Sequence, residues 1–306
     1  MTVTGVLVLD KKAGVTSFDA VSVVRRRLEI RRVGHAGTLD PAATGVLPIL
    51  VGEATKLVSW LVDQDKEYVA TVRFGVTTDT HDLTGRVLAE APVPALTREA
   101  LEEACRPFVG HIRQTPPMYS AVHHAGRRLY ELARAGIEVE RQPRAVVVHA
   151  IRVEDVSGAS VTLRVRCGKG TYVRVLAADL GKGLGCGAAV ERLVRVRVGP
   201  FRLEDAVDWN ALIGGPAEAL WARVLPPESA LASWPTVSLD AHAARRFTHG
   251  QPVEVVPPAA RAATLVRVHD ATGALLGVGE VTPGAGGVKP LRLLNADRPG
   301  TRVLPA

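Results

Sequence analysis

The residues able to do chemistry in this 306-residue chain concentrate in one stretch, His35-Ala36-Gly37-Thr38-Leu39-Asp40-Pro41, flanked by Val33-Gly34 and by Ala42 to Leu50. A single carboxylate, Asp40, stands in a polar loop punctuated by glycine that runs straight into an apolar segment. Gly34, Gly37 and Gly45 permit backbone angles that other residues resist, and they let a ligand approach the main chain closely. A lone carboxylate so placed suits nucleophilic attack or proton removal. The Asp-Pro step also reads as a helix start, with Asp supplying the cap oxygen and Pro the first helical position. The sequence therefore predicts a helix beginning at Asp40-Pro41, with the positive end of its dipole beside the carboxylate.

Composition narrows the partners of such a group. The net charge is +7 and arginine greatly outnumbers lysine, which points to a polyanion gripped by forked phosphate contacts. A hydrophobic fraction of 47% supports real cores, and the length fits about two domains. Cys105, Cys167 and Cys186 are odd in number and widely spaced, so neither a disulfide framework nor a zinc site is signalled. Asp79, His81 and Asp82 meet no metal-ligand spacing rule and read as turn residues. Gly168-Lys169-Gly170-Thr171 lacks the first glycine of a phosphate loop, and Gly183 to Gly187 follows a helix where a dinucleotide fingerprint follows a strand. With no signal triplet and no run of about 20 apolar residues, a cytoplasmic protein without a membrane span is expected.

The elements that must position Asp40 come next. Gly5 to Leu9 reads as a strand, Asp19 to Leu28 as a helix capped by Thr16 or Ser17, and Arg25, Arg26, Arg27, Arg31 and Arg32 as a basic run abutting the loop. Glu53 to Val62 reads as a helix. Tyr68, Ala70, Val72 and Phe74 share one face of a strand. A helix is expected at Thr97 to Arg106, ended by Pro107, and another at Val175 to Leu180. His123 to Gly136 reads as a basic helical insert capped by Gly136. Arg144 to Val153, Val161 to Cys167 and Arg192 to Val198 alternate as strands, the last with Arg195 and Arg197 exposed on one side. Beyond Leu225-Pro226-Pro227 short strands at Pro252 to Val256, Thr264 to Val268 and Leu275 to Gly279 alternate with turns, as in a small β-barrel or sandwich. This places a domain boundary near residue 230.

The motifs, taken in order, resemble the TruB family of tRNA pseudouridine synthases. Gly34 to Pro41, extended by Ala43-Thr44-Gly45-Val46-Leu47-Pro48, is similar to the family's catalytic signature. Asp10-Lys11 with Gly14-Val15-Thr16-Ser17, Asp65-Lys66-Glu67-Tyr68, Thr78-Asp79-Thr80 with Asp82 and Gly85, Gln114 to Ala121, and Lys169 to Arg174 match further motifs across residues 3 to 230. Residues 234 to about 297 are similar, more loosely, to a PUA-type RNA-binding domain. Lys12 stands where the family generally has proline, and His123 where lysine is usual.

The resemblance implies a mixed α/β (α+β) fold: a largely antiparallel central sheet flanked by helices in a catalytic domain, 1–230, and a PUA-like β-barrel domain, 231–306. It implies isomerisation of one uridine in the T-arm loop of tRNA to pseudouridine, by base flipping, with neither metal nor other cofactor. Asp40 would be the catalytic carboxylate, Tyr68 would stack on the flipped base, and Arg174 would pair with Asp40. His35, Lys11, Gly37, Thr38, Tyr172, Lys169, Asp82, Arg127 and Arg128 would contact or position RNA, with 123–142 as a clamp. A monomer with tRNA as its partner is expected. The alternatives are a guide-RNA-dependent enzyme of the same chemistry and a non-catalytic tRNA-folding chaperone.

Overall fold

The computed structural model describes residues 2–255, 264–281, 286–294 and 301–303. An 11-stranded sheet forms the centre. Its main path runs Val224–Leu225, Thr2–Lys11, Thr44–Val51, Ala188–Val198, Lys66–Phe74, Ser160–Cys167, Arg144–Ser157, Gly110–Gln114. All neighbours on this path are antiparallel except Thr44–Val51 with Ala188–Val198. The expected largely antiparallel sheet is thus observed. Strand Lys66–Phe74 turns Tyr68, Ala70, Val72 and Phe74 inward by its period of two. Two helices cover this face: Ser17–Arg27 through Ala20, Val21 and Val24, and Val173–Gly183 through Val173, Leu176, Ala177 and Leu180. Thr16 caps the first in a reciprocal capping box with Asp19.

A five-stranded sheet, Thr236–Ser238, Thr264–His269, Leu275–Val281, Gly287–Leu293 and Val253–Glu254 in that spatial order, makes up the C-terminal part. Val256, the last residue of the strand expected from 252, and residues 295–297 of the PUA-like stretch lie outside the described residues. The two sheets share apolar contacts. Val6, Val8, Leu50, Leu57 and Leu61 form one core with Leu275, Val278 and Leu294. Trp60 and Trp234 meet edge to face at 5.7 Å, a favourable aromatic geometry. Thr301–Val303 returns to pair in parallel with Thr2–Lys11.

Four local expectations need correction. The insert expected to be helical over 123–136 begins as a hairpin, His123–His124 paired with Arg127–Arg128 through a left-handed turn at Ala125-Gly126, and is helical only at Leu129–Arg134. No helix starts at Asp40-Pro41: the loop passes through Ala43 into strand Thr44–Val51. That segment is buried along nearly its whole length between two partner strands, and this pairing overrides the Asp-Pro cap signal. The helix expected over 53–62 is a 3-10 turn at Gly52–Leu57 followed by a single α-turn at Val58–Val62. Arg195 and Arg197 do not share an exposed face. A register shift between them, opposite Tyr68 and Glu67, breaks the alternation, so Arg197 stays exposed while Arg195 is 1% exposed.

Candidate active site

Asp40 reaches its position through the loop that joins the short strand Val33–His35 to strand Thr44–Val51. The loop is fixed from below on both sides of the carboxylate. Arg195 donates from Nη2 to the Gly37 carbonyl at 2.9 Å, from Nη1 to Thr38 O at 3.4 Å and from Nε to Val46 O at 2.8 Å. One planar guanidinium therefore grips backbone before and after Asp40, a task its forked donors suit better than an ammonium would. The turn requires glycine where it meets this strand. Gly45 has φ +103°, and a Cβ there would lie 2.2 Å from the Arg195 carbonyl oxygen. Lys11 completes the floor, donating from Nζ to the carbonyls of Pro41, Val15 and Lys12. Ser17 donates to Leu39 O at 3.2 Å and accepts from Leu39 N–H at 2.9 Å, which ties the first helix to the same loop.

Arg174, the second residue of helix Val173–Gly183, supplies the partner of the carboxylate. Its Nε donates to Asp40 Oδ2 at 2.7 Å, and its remaining nitrogens donate to Thr80 O and to Tyr119 O. With both ends of the fork occupied, the guanidinium cannot swing away, and its side chain is only 5% exposed against 35% for Asp40. Asp40 Oδ1 accepts no hydrogen bond from the described residues. One oxygen is thus pinned and the other is available to a substrate. Asp82 lies 3.8 Å from the same Arg174 Nε, but its Oδ1 accepts from Thr84 N–H, Thr84 Oγ1 and Thr80 Oγ1. Asp82 therefore shapes the loop that presents Thr80 to Arg174.

Thr38, Leu39, Asp40, Tyr68, Thr171, Tyr172, Val173, Arg174 and Leu193 line a pocket of about 90 Å³. Burial raises the phenol pKa of Tyr68 against the opposing pull of Arg195, so the hydroxyl stays protonated at neutral pH. Tyr172 is shifted in the same direction, again chiefly by burial. The Gln114 amide clamps the Tyr172 backbone from both sides, accepting from its N–H at 2.8 Å and donating to its carbonyl at 3.1 Å. His35 is half-buried beside the loop, and burial followed by the charge of Arg195 holds its imidazole below the usual range. It is neutral at physiological pH.

The structure gathers Thr38, Asp40, Tyr68, Tyr172 and Arg174 around one cavity, with Gly37 gripped beneath and His35 alongside. Lys11 is a correction. It is 0% exposed, with its ammonium committed to three carbonyls, so it supports the loop and offers no surface for direct contact with RNA. Burial pushes it down to about 8, partly countered by Asp40, and Lys66, also buried and also near Arg195, is likewise near 8. Lys169 lies outside the pocket, paired with Asp63 at 2.8 Å. Arg127 and Arg128 sit on a two-residue strand paired with His123–His124, ahead of the short helix Leu129–Arg134, with Gly136 at φ +70° past its end. Arg195 and Gln114 are the residues the sequence reading passed over as site builders. Nothing local marks Arg195, because the register shift that buries it arises from pairing. Asp79 accepts from Arg86 N–H and His81 lies at φ +61°, both as turn residues. Among the described residues no group of three or more His, Cys, Asp or Glu could hold a metal ion.

This geometry has close counterparts. Residues 25–173 match "TruB family pseudouridylate synthase (N terminal domain)", 174–232 match "tRNA pseudouridylate synthase B C-terminal domain", and 235–294 match "Pseudouridine synthase II TruB, C-terminal". A tRNA pseudouridine synthase B of Dechloromonas aromatica is 50% identical over 286 residues, 94% of this chain and 93% of that protein. One from Aromatoleum aromaticum is 46% identical over 293 residues, 96% and 93% of the two chains. A chain in a Cbf5–Nop10–Gar1 complex superimposes with a TM-score of 0.73 at 27% identity, covering 94% of this chain and 84% of that one. A chain of an H/ACA ribonucleoprotein bound to a substrate RNA containing 2′-deoxyuridine does so at 0.71 and 25%, with the same coverage. The fold is that of the pseudouridine synthases, and these relatives define the class of protein as an isomerase. The chain belongs to the TruB family of pseudouridylate synthases.

Proposed function

We propose that this enzyme converts one uridine in the T-arm loop of tRNA to pseudouridine, with Asp40 as the catalytic carboxylate and no cofactor. The observation that carries the reading is Asp40 itself: half-exposed, with one oxygen held by a buried, fully engaged guanidinium and the other free, in a pocket walled by Tyr68 and Tyr172. The reaction breaks the bond from C1′ to N1 of uracil, turns the ring and joins C1′ to C5, with loss of the C5 proton to solvent and uptake of one proton at N1, so that the composition is unchanged. A base in a structured loop must first leave its stack, at a cost of a few kcal/mol offset by contacts in the pocket. Tyr68 provides a stacking face and Leu193 an apolar wall, while Arg174 keeps the carboxylate aimed. Charge for the RNA backbone comes from Lys169, Arg127 and Arg128, and the segment 123–142 acts as the clamp. His35, neutral and beside the loop, supports the opened RNA, and Gly37 and Thr38 bring main chain close to it. The enzyme acts as a monomer in the cytoplasm, and the described residues contain no helix long and apolar enough to cross a membrane.

The similarity to chains from H/ACA complexes favours one second reading, a guide-dependent enzyme. An intrinsic clamp argues for the stand-alone form. The test is a tRNA transcript carrying tritium at C5 of its uridines, incubated with purified protein alone. One equivalent released from the T-loop uridine is expected. Asp40→Asn should bind this tRNA as the unsubstituted enzyme does and lose turnover by at least about 10³-fold. Release only on adding a guide RNA, or normal turnover by the variant, overturns the reading.

A further inference from the structure

The helix Ser17–Arg27 buries Ala20, Val21 and Val24 and leaves Phe18 69% exposed. A single exposed apolar residue is ordinary on a protein surface, so exposure alone says little. Its placement says more. The neighbouring Ser17 exchanges two hydrogen bonds with Leu39, the residue before Asp40, so Phe18 is anchored beside the catalytic loop. The ring joins none of the hydrophobic clusters of the described residues, and folding does not require it. Helical spacing sets Ser22, Arg25 and Arg26 on the stripe that continues from Phe18, and both arginines are exposed. Lys12, in the turn ahead of the helix, is exposed too, with its ammonium 5.5 Å from the centre of the Trp209 ring. Asp19, the only acid in the first turn, is turned back into the capping box with Thr16.

An exposed aromatic ring continued by cations, with the acid of its own first turn already engaged, matches single-stranded RNA: a π face for an unpaired base and charge for the phosphates. We propose that this helix is a second RNA contact outside the pocket, in which Phe18 stacks on an unpaired base adjoining the flipped uridine and Arg25 and Arg26 take the phosphates beyond it. The proposal rests on the RNA-isomerase reading and adds to it a contact that sets substrate affinity without touching the reacting atoms. Stacking tolerates any base, so the ring contributes affinity and register, while the pocket selects uracil.

The test uses the full-length protein and a T-arm stem-loop RNA. Phe18→Ser should raise KM about tenfold and leave kcat unchanged, and Phe18→Trp should restore KM, because a larger ring stacks as well. Arg25→Gln with Arg26→Gln should flatten the salt dependence of binding by about 0.7 per lost phosphate contact. An abasic nucleotide is then placed in turn at each loop position. At one position it should weaken the unsubstituted enzyme by the same factor as Phe18→Ser and weaken Phe18→Ser no further. A KM for Phe18→Ser equal to that of the parent, or additive losses at every abasic position, overturns the proposal. A dimer that Phe18→Ser converts to monomer would assign the ring to a second copy of this chain. If the parent neither binds nor turns over this RNA, the isomerase reading fails with it; if the parent is active and Phe18→Ser matches it, this inference alone fails.

Discussion

Around Asp40 the 11-stranded sheet buries Lys11, Lys66, Arg174 and Arg195, all anchored on backbone carbonyls or on Asp40 itself. The five-stranded sheet buries an almost wholly apolar set, including Val237, Phe247, Val266, Val268 and Val288, with His269 as the one exception among its described residues. Both use strands and turns, yet they spend burial differently. Each buried cation near Asp40 gives up hydration and is only partly compensated by carbonyl partners. Replacing buried ion pairs by an apolar core of similar volume is often neutral or stabilising, and what these cations visibly do is hold the loop around Asp40. The C-terminal sheet buries no such cation among its described residues and serves as a packed unit joined to the 11-stranded sheet through Leu275, Val278 and Leu294.

Substitutions in the two regions should separate activity from stability in opposite senses. Arg195→Met frees the Gly37, Thr38 and Val46 carbonyls, so the loop on both sides of Asp40 loses its anchor. Turnover is expected to fall by about 10²-fold with tRNA affinity nearly unchanged, read as kcat against KM, because misplacement by about 1 Å has effects of that size. A loss confined to thermal stability would assign Arg195 to packing alone. Phe247→Ala removes a fully buried ring from the C-terminal core and should destabilise by about 3–5 kcal/mol, read from urea unfolding. Turnover per folded molecule should be unchanged there, and a matching fall in kcat would merge the two regions into one functional unit.

Smaller effects appear in the pH dependence of stability. Lys11 and Lys66 stand near 8 when folded and at 10.5 unfolded, so between these values the unfolded chain binds more protons and stability rises with pH. Cys105 and Cys167, pushed up by burial to about 11 from 9, act in the opposite sense above pH 9. A rise between about pH 8 and 9 is therefore expected, and Lys66→Met should flatten part of it. On the acid side His35, His81 and His269 are held below 6.5 by burial, so stability falls as pH drops through 6.5 toward their folded values. Urea titrations at stepped pH read both slopes. An alkaline rise that survives Lys66→Met and Lys11→Met together would remove the buried lysines from the account.

Sequence alone determined the order of the motifs, the inward face of Tyr68, Ala70, Val72 and Phe74, the capping of the first helix, and Asp40 as the centre, because these follow from residue type and short-range periodicity. It misread the Asp-Pro step as a helix start, since local cap chemistry is weak beside pairing with strands Thr2–Lys11 and Ala188–Val198. It placed Lys11 on the RNA and Arg195 in solvent because the loop that covers one and the register shift that turns the other inward are set by contacts distant in sequence. Which carbonyls hold the loop, which oxygen of Asp40 stays free and which arginine is locked were decided by tertiary structure alone. Those facts depend on segments distant in sequence meeting in space, and no local pattern of residues records such a meeting.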